Sequence, residues 1–355
     1  MSTATIHRQR LASGMSSRAQ RASAVLVCLM MVCVSAGCAS PEDSAPAATT
    51  SPSDALSEAV QTGSLLSGRL FFTRGTAGAG DVQAVYLMTG TEEHALTDLG
   101  EVCCILRASP TDESLLVMPG EIAPPITGAT LDTRGHDLVP LPTTDPTLNL
   151  VPQAWSPDGS RIAFEGWDDS DPSRTGIYIA RASDGGELDR VTNRPGRFDD
   201  VPMDFSPDGT QLVFYMSMHP DPDPHTDGSL WVVGIDGSDP HPITSEESPP
   251  ADWARWSPDG TRILFASERL SETGRIWTVS PDGSGLTTLF EGSNGEFAIA
   301  PDWSPDGTEI VFALDRSNDQ WAHQPNSIYV MTAAGTGLRL VSDTPDFKSQ
   351  LEWVE

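Results

Sequence analysis

The sequence predicts an all-β fold: a six-bladed β-propeller with 1+3 strand closure, behind a signal peptide and a disordered tether. Three observations predict it. A five-residue turn motif recurs at nearly even spacing. Each copy is followed by the same series of short apolar strands. The repeats begin one strand short, and the chain ends on one strand too many.

The motif comes first. Trp155-Ser156-Pro157-Asp158-Gly159 returns as Phe205 to Gly209, Trp256 to Gly260 and Trp303 to Gly307, with a decayed copy at Ala108-Ser109-Pro110-Thr111-Asp112. Its serines stand at 109, 156, 206, 257 and 304, in steps of 47, 50, 51 and 47 residues. A repeat of that length holding four short strands is a propeller blade. Proline presets φ at the second turn position, Asp tolerates the third, and Gly accepts the positive φ that closes the hairpin.

The strands come next. Six residues after each serine an apolar triplet starts, at Leu115, Ile162, Leu212, Ile263 and Ile310. Its residues are apolar on both faces, as expected of a strand buried between neighbouring sheets. Aromatic-bearing strands follow: Ile177-Tyr178-Ile179, Leu230-Trp231-Val232, Ile276-Trp277-Thr278 and Ile328-Tyr329-Val330. A Gly-containing turn then leads to a fourth strand such as Leu338-Arg339-Leu340.

The ends complete the count. Leu70-Phe71-Phe72 reads as a second strand with no first strand before it, and Val85 to Met88 as its third. Trp353 lies 50 residues after Trp303, where another first strand is due. The C-terminal strand therefore supplies the missing strand of the N-terminal blade. Closure removes the exposed sheet edge of an open array.

Three regions are expected: residues 1–37, 38–63 and 64–355. The first carries Arg8, Arg10, Arg18 and Arg21, no acid, an apolar run from Ala22 to Val34, and then Ser35-Ala36-Gly37-Cys38. That is a secretory signal. Small-small-Gly-Cys resembles a lipobox, which implies cleavage before Cys38 and lipidation of its thiol. Residues 39–63 are rich in Ala, Ser, Pro, Thr and acids, a composition that cannot bury a core. They read as a flexible linker spanning roughly 25–30 Å. The expected place is the outer face of the cytoplasmic membrane, or an outer membrane where the host has one.

The whole chain carries 21 basic and 50 acidic residues, a net charge of -29. Loss of residues 1–37 removes four arginines and takes the charge to -33. A nucleic-acid partner is not expected of such a chain, because phosphate is bound by clustered Lys and Arg. Lys348 is the one lysine.

From about residue 66 the chain resembles the propeller domain of TolB and its relatives, on the strength of four intact, evenly spaced SPDG repeats. TolB has an α/β domain before its propeller. Only the tether is read here, so a Tol-system role is not carried over. Some TolB-like propellers resemble sugar lyases with a His-held metal, which gives the alternative reading of a metal-dependent lyase or lactonase.

The residues themselves favour binding over catalysis. There is no G-x-S-x-G elbow or H-E-x-x-H motif. No catalytic residue is assigned, and no cofactor is expected beyond the lipid on Cys38. Calcium is the open exception, on acidic loops holding Asp168, Asp169 and Asp171, and Asp221, Asp223 and Asp227. The adjacent Cys103 and Cys104 are read as preceding the first strand of the second blade, as a vicinal disulfide or as two thiols.

Two sets of side chains define candidate sites. The residue before each motif aromatic is charged in five blades, as Arg107, Asp204, Arg255, Asp302 and Glu352, with Ala154 the exception. Each is expected to begin an innermost strand and to join a charged ring at one channel mouth. That ring reads as a polar ligand site or as ion pairs between blades. The longer connections between second and third strands, with those between blades, are expected on one face. They bring Trp167, Phe198, His219, His225, Trp253, Trp321, His323 and Phe347 together among acids, with the ring and the cysteines. Such a face suits a protein, a peptide or a cell-envelope glycan, bound by a monomer.

Overall fold

The computed structural model describes residues 66–355 except 76–82, 121–122, 194–199, 218–227, 246–250, 268–273, 294 and 317–325. Cys38, the signal and the tether lie outside the described residues.

Four sheets each contain four consecutive antiparallel strands. Blade three is built from Asn149–Trp155, Arg161–Trp167, Gly176–Arg181 and Asp189–Arg190. Blade four runs from Asp200–Phe205 to His241–Pro242, blade five from Ala251–Trp256 to Thr287–Glu291, and blade six from Phe297–Trp303 to Arg339–Ser342. Blade two spans Val102–Ala108 to Val139–Pro140 and is joined to blade one by a single pair, Gln83 with Val102. Blade one is Arg69–Gly75, Gln83–Thr89 and Glu92–Ala95, with the C-terminal strand Phe347–Val354 on its inner side. Leu70 pairs with Trp353 and Gly75 with Phe347. The closure is one strand plus three. Each first strand touches the first strands of both neighbouring blades, and these contacts close into a ring of six.

Alternation along the second strands explains the packing. Successive side chains point to opposite faces of a strand. Leu212 and Phe214 therefore pack against Ala154, Ala163 and Ile177 of blade three, while Val213 and Tyr215 pack against Trp256, Ile263 and Phe265 of blade five. Both faces are covered, so the triplets are apolar throughout. The closing seam is packed in the same way: Leu70, Phe72, Leu351 and Trp353 of blade one meet Val311, Ala313 and Val330 of blade six.

The SPDG turns form a second repeating unit. Asp158 accepts from the hydroxyls of Ser156 at 2.6 Å and Ser160 at 2.8 Å, and from the Ser160 amide at 3.0 Å. Ser156 Oγ in turn accepts from the Arg161 amide at 2.9 Å. Asp208, Asp259 and Asp306 repeat the pattern. Gly209 closes its turn at φ 71°. A Cβ there would lie 3.5 Å from Pro157 of the preceding blade, so neighbouring turns touch around one face.

Candidate functional site

Every first strand carries a β-bulge just before its motif aromatic. The register slips between Cys104 and Leu106, Pro152 and Ala154, Pro202 and Asp204, Asp252 and Arg255, and Ile299 and Asp302, and in the closing strand opposite Phe71 and Thr73. In four blades a non-glycine bulge residue takes a left-handed backbone: Ile105 at φ 59°, Trp253 at 54°, Ala300 at 49° and Gln350 at 51°. Such residues are strained, and a bulge re-aims the side chains that follow it.

The residues re-aimed are the five charged ones, and they form one cluster in which Arg107, Arg255 and Asp302 are buried and Asp204 and Glu352 half-buried. Arg255 Nε lies 3.4 Å from Asp302, and its Nη2 lies 3.5 Å from Glu352. Arg107 Nη1 lies 3.9 Å from Glu352. The carboxylates also bind backbone of the next blade. Asp204 accepts the Trp256 amide at 2.8 Å, Asp302 the Trp353 amide at 2.7 Å, and Glu352 the Ala108 amide at 3.2 Å. The cluster joins blades four to five, six to one and one to two.

Three carboxyls face two guanidiniums, and burial raises the cost of that excess charge. Burial pushes the Asp302 carboxyl up to about 7, helped by Glu352 and opposed by Arg255. Burial also pushes Asp204 up to about 6. Arg107 is lowered to about 10 by burial and by the charge of Arg255. For Arg255 burial works in the lowering direction, but Glu352, Asp302 and Asp204 outweigh it and raise its pKa.

The location of this cluster corrects the expectation from sequence. First strands end at the motif aromatic, as in Asn149–Trp155, and do not begin there. The charges therefore lie near the ends of these strands, beside the SPDG hairpins. The second strands end and the third strands begin on the opposite face, because the strands are antiparallel. The ring and the long connections do not form one site.

The aromatic face is also corrected where it is described. Trp167 is 7% exposed at the end of its strand, and Phe347 is likewise 7% exposed. Trp253 is half-buried and packs on the core between blades six and one. Trp167 and Phe347 fold back over the blades and are not presented as contacts. Phe198, His219, His225, Trp321 and His323 lie outside the described residues.

One acidic connection is described, at 168–175. Asp168 accepts from the Ser170 hydroxyl at 2.6 Å and from Arg174 at 2.9 Å. Arg174 also binds Asp145, so one guanidinium serves two carboxylates. Hydrogen bonds, first that from Ser170, hold the Asp168 carboxyl down at about 2. Among the described residues no group of three or more His, Cys, Asp or Glu side chains is arranged to hold a metal.

Cys103 and Cys104 are corrected in place as well. They lie within the first strand of blade two, not before it, near its start and thus toward the long-connection face. Both are buried, and their Sγ atoms are 2.9 Å apart.

Fold and geometry together define a closed propeller with near-identical hairpins on one face. The TolB beta propeller domain family (PD40) matches residues 131–346, and the chain belongs to that family. Among solved structures it is similar to TolB from Acinetobacter baumannii, at 16% identity and a TM-score of 0.60 over 85% of this chain and 70% of that one. A TolB-type protein of Agrobacterium tumefaciens gives 20% identity and a TM-score of 0.56 over 79% and 91%. Oligogalacturonate lyase from Vibrio parahaemolyticus gives 14% and 0.51 over 77% and 79%. At these identities the likeness is one of fold, and TolB proteins and a lyase share it. No curated protein matches the chain in sequence.

Proposed function

We propose that this protein is a lipid-anchored extracytoplasmic binding module. It is held by Cys38 and engages a protein, peptide or cell-envelope glycan through its second-to-third-strand connections. The observation that carries this reading is the difference between the two faces. On the hairpin face the motif Asp and Ser groups are consumed by their own turns, and Asp204, Arg255 and Asp302 beneath are engaged between blades. The second-to-third-strand connections, 168–175, 218–227, 268–274 and 316–325, differ in sequence from blade to blade. Variable loops on a rigid scaffold are the usual place for recognition. The acid-rich segment Asp221-Pro222-Asp223-Pro224-His225 suits a partner that offers cations or hydroxyls.

Two comparisons test the reading. Wild type and Cys38→Ala are fractionated from the exporting host; the variant is expected to leave the membrane fraction. Envelope components are then crosslinked to the wild type, to a form with 218–227 replaced by Gly and Ser, and to Asp208→Ala. Capture is expected to be lost with the loop and retained with the turn variant. Capture lost with Asp208→Ala alone would place binding on the hairpin face and overturn the assignment.

A further inference from the structure

We propose that Cys103 and Cys104 form a redox modification site that closes as a vicinal disulfide when the chain folds in an oxidising compartment. In a regular strand adjacent side chains point to opposite faces, which keeps neighbouring thiols apart. Here the strand is not regular. Val102 pairs with Pro119 and Cys104 with Met118, so Cys103 is an extra residue in the ladder. A second slip follows between Cys104 and Leu106, with Ile105 at φ 59°. Two bulges in succession turn the cysteines toward one another and bring their Sγ atoms to 2.9 Å. The remaining gap to a bond of about 2.03–2.05 Å is less than an ångström.

The usual obstacle to such a bond is the backbone, because consecutive Cα atoms are closer than ordinary disulfides require. In this strand the fold has already bent that backbone. Both thiols are also buried, at 3% and 4% exposure, which favours each as the other's partner over a second molecule.

The step is thiol–disulfide exchange with a small-molecule or protein disulfide as oxidant. One cysteine, as thiolate, attacks that disulfide and releases its first thiol. The neighbouring cysteine loses its proton, attacks the mixed disulfide and releases the second thiol. The pair loses two electrons and two protons, and the oxidant is reduced to two thiols. The site lies at the start of an innermost strand, three residues before Arg107 of the charged cluster.

The proposal rests on the export reading only for where the oxidant is met, so two preparations separate the two. One is the protein from the exporting host. The other is the reduced chain refolded with oxidised glutathione. Each is denatured in acid, alkylated without reductant, and mapped at the peptide holding residues 103 and 104. The expected peptide is lighter by two hydrogens, carries no alkyl group, and gains two only after reduction. Two alkylated cysteines in the refolded sample, or glutathione retained on either, would overturn the proposal. Closure in the refolded sample alone would support the site and count against export.

Discussion

Asp302 of blade six accepts the backbone amide of Trp353, in the closing strand of blade one, at 2.7 Å. The bond crosses the seam where the ends of the propeller meet. Asp204 makes the same contact with Trp256 two seams earlier, between blades four and five. The residue before the motif aromatic thus acts as a clamp between blades, and the ring closes with the same chemistry that links consecutive sheets.

Two substitutions at Asp302 separate its acceptor role from its charge. Asp302→Ala leaves the Trp353 amide without this acceptor and weakens the pairing of Arg255. Breaking a buried pair in this way costs about 3–5 kcal/mol. Asp302→Asn keeps an acceptor and resembles the protonated acid, so its cost is expected near 1 kcal/mol. Urea denaturation of both variants at neutral pH measures the difference. Equal losses would show that the hydrogen bond does not carry the clamp.

Stability is expected to fall as pH rises from about 4 to about 7. Asp204 and Asp302 have folded pKa values raised to about 6 and about 7 from 3.8, first by burial. The folded chain holds protons there that the unfolded chain releases, so their contribution is complete below the unfolded value and lost through the folded one. The turn aspartates act in the opposite direction and lower in pH. Asp158 and Asp259 are held down at about 2, first by the hydroxyls of Ser156 and Ser257. Their contribution is present above 3.8 and lost as pH falls toward 2. A maximum near about pH 4 follows. Denaturation midpoints across the range test it, and Asp302→Asn should flatten the upper limb.

At the hairpin face, Asp208→Ala removes the acceptor of the Ser206 hydroxyl and the Thr210 amide, and Gly209→Ala forces a side chain into φ 71°. Each is expected to cost about 1 kcal/mol. Each should also leave any measured partner affinity unchanged. Thermal melts and binding isotherms on the same samples check both halves.

Trp167→Ala is a packing variant. With 7% exposure, the indole is expected to leave a cavity and cost about 3–5 kcal/mol. An unchanged melting temperature would mean that the ring is not held in the core.

The sequence announces the blades because their second strands are covered on both faces and their turns need Pro, Asp and Gly at fixed places. It hides the first strands. Asn149–Trp155 and Asp200–Phe205 contain Pro152 and Pro202, and proline ordinarily argues against a strand interior. Both prolines stand beside bulges, where the ladder is already broken. Missing those strands put the charges at the wrong end of the channel. The identity of the five clustered charges was legible because each precedes a repeated aromatic. Ion pairs between neighbouring blades were expected of them, as in Arg107 with Glu352 and Arg255 with Asp302; the contact of Arg255 with Glu352, two blades on, was not, since it arises only through the curvature of the ring. The burial of Trp167 was equally hidden, because a residue beside an acidic loop looks like part of that loop.

Closure by the C-terminal strand is the central claim, and deletion of residues 351–355 tests it most directly. The deletion removes Leu351 and Trp353 from the seam core, the Trp353 bond to Asp302, and Glu352 from the charged cluster. Loss of the tryptophan alone is worth about 3–5 kcal/mol. Differential scanning calorimetry of the full and shortened chains is expected to show the melting temperature lower by about 10 °C or more, or no cooperative transition. A melting temperature equal to that of the full chain would contradict the closure.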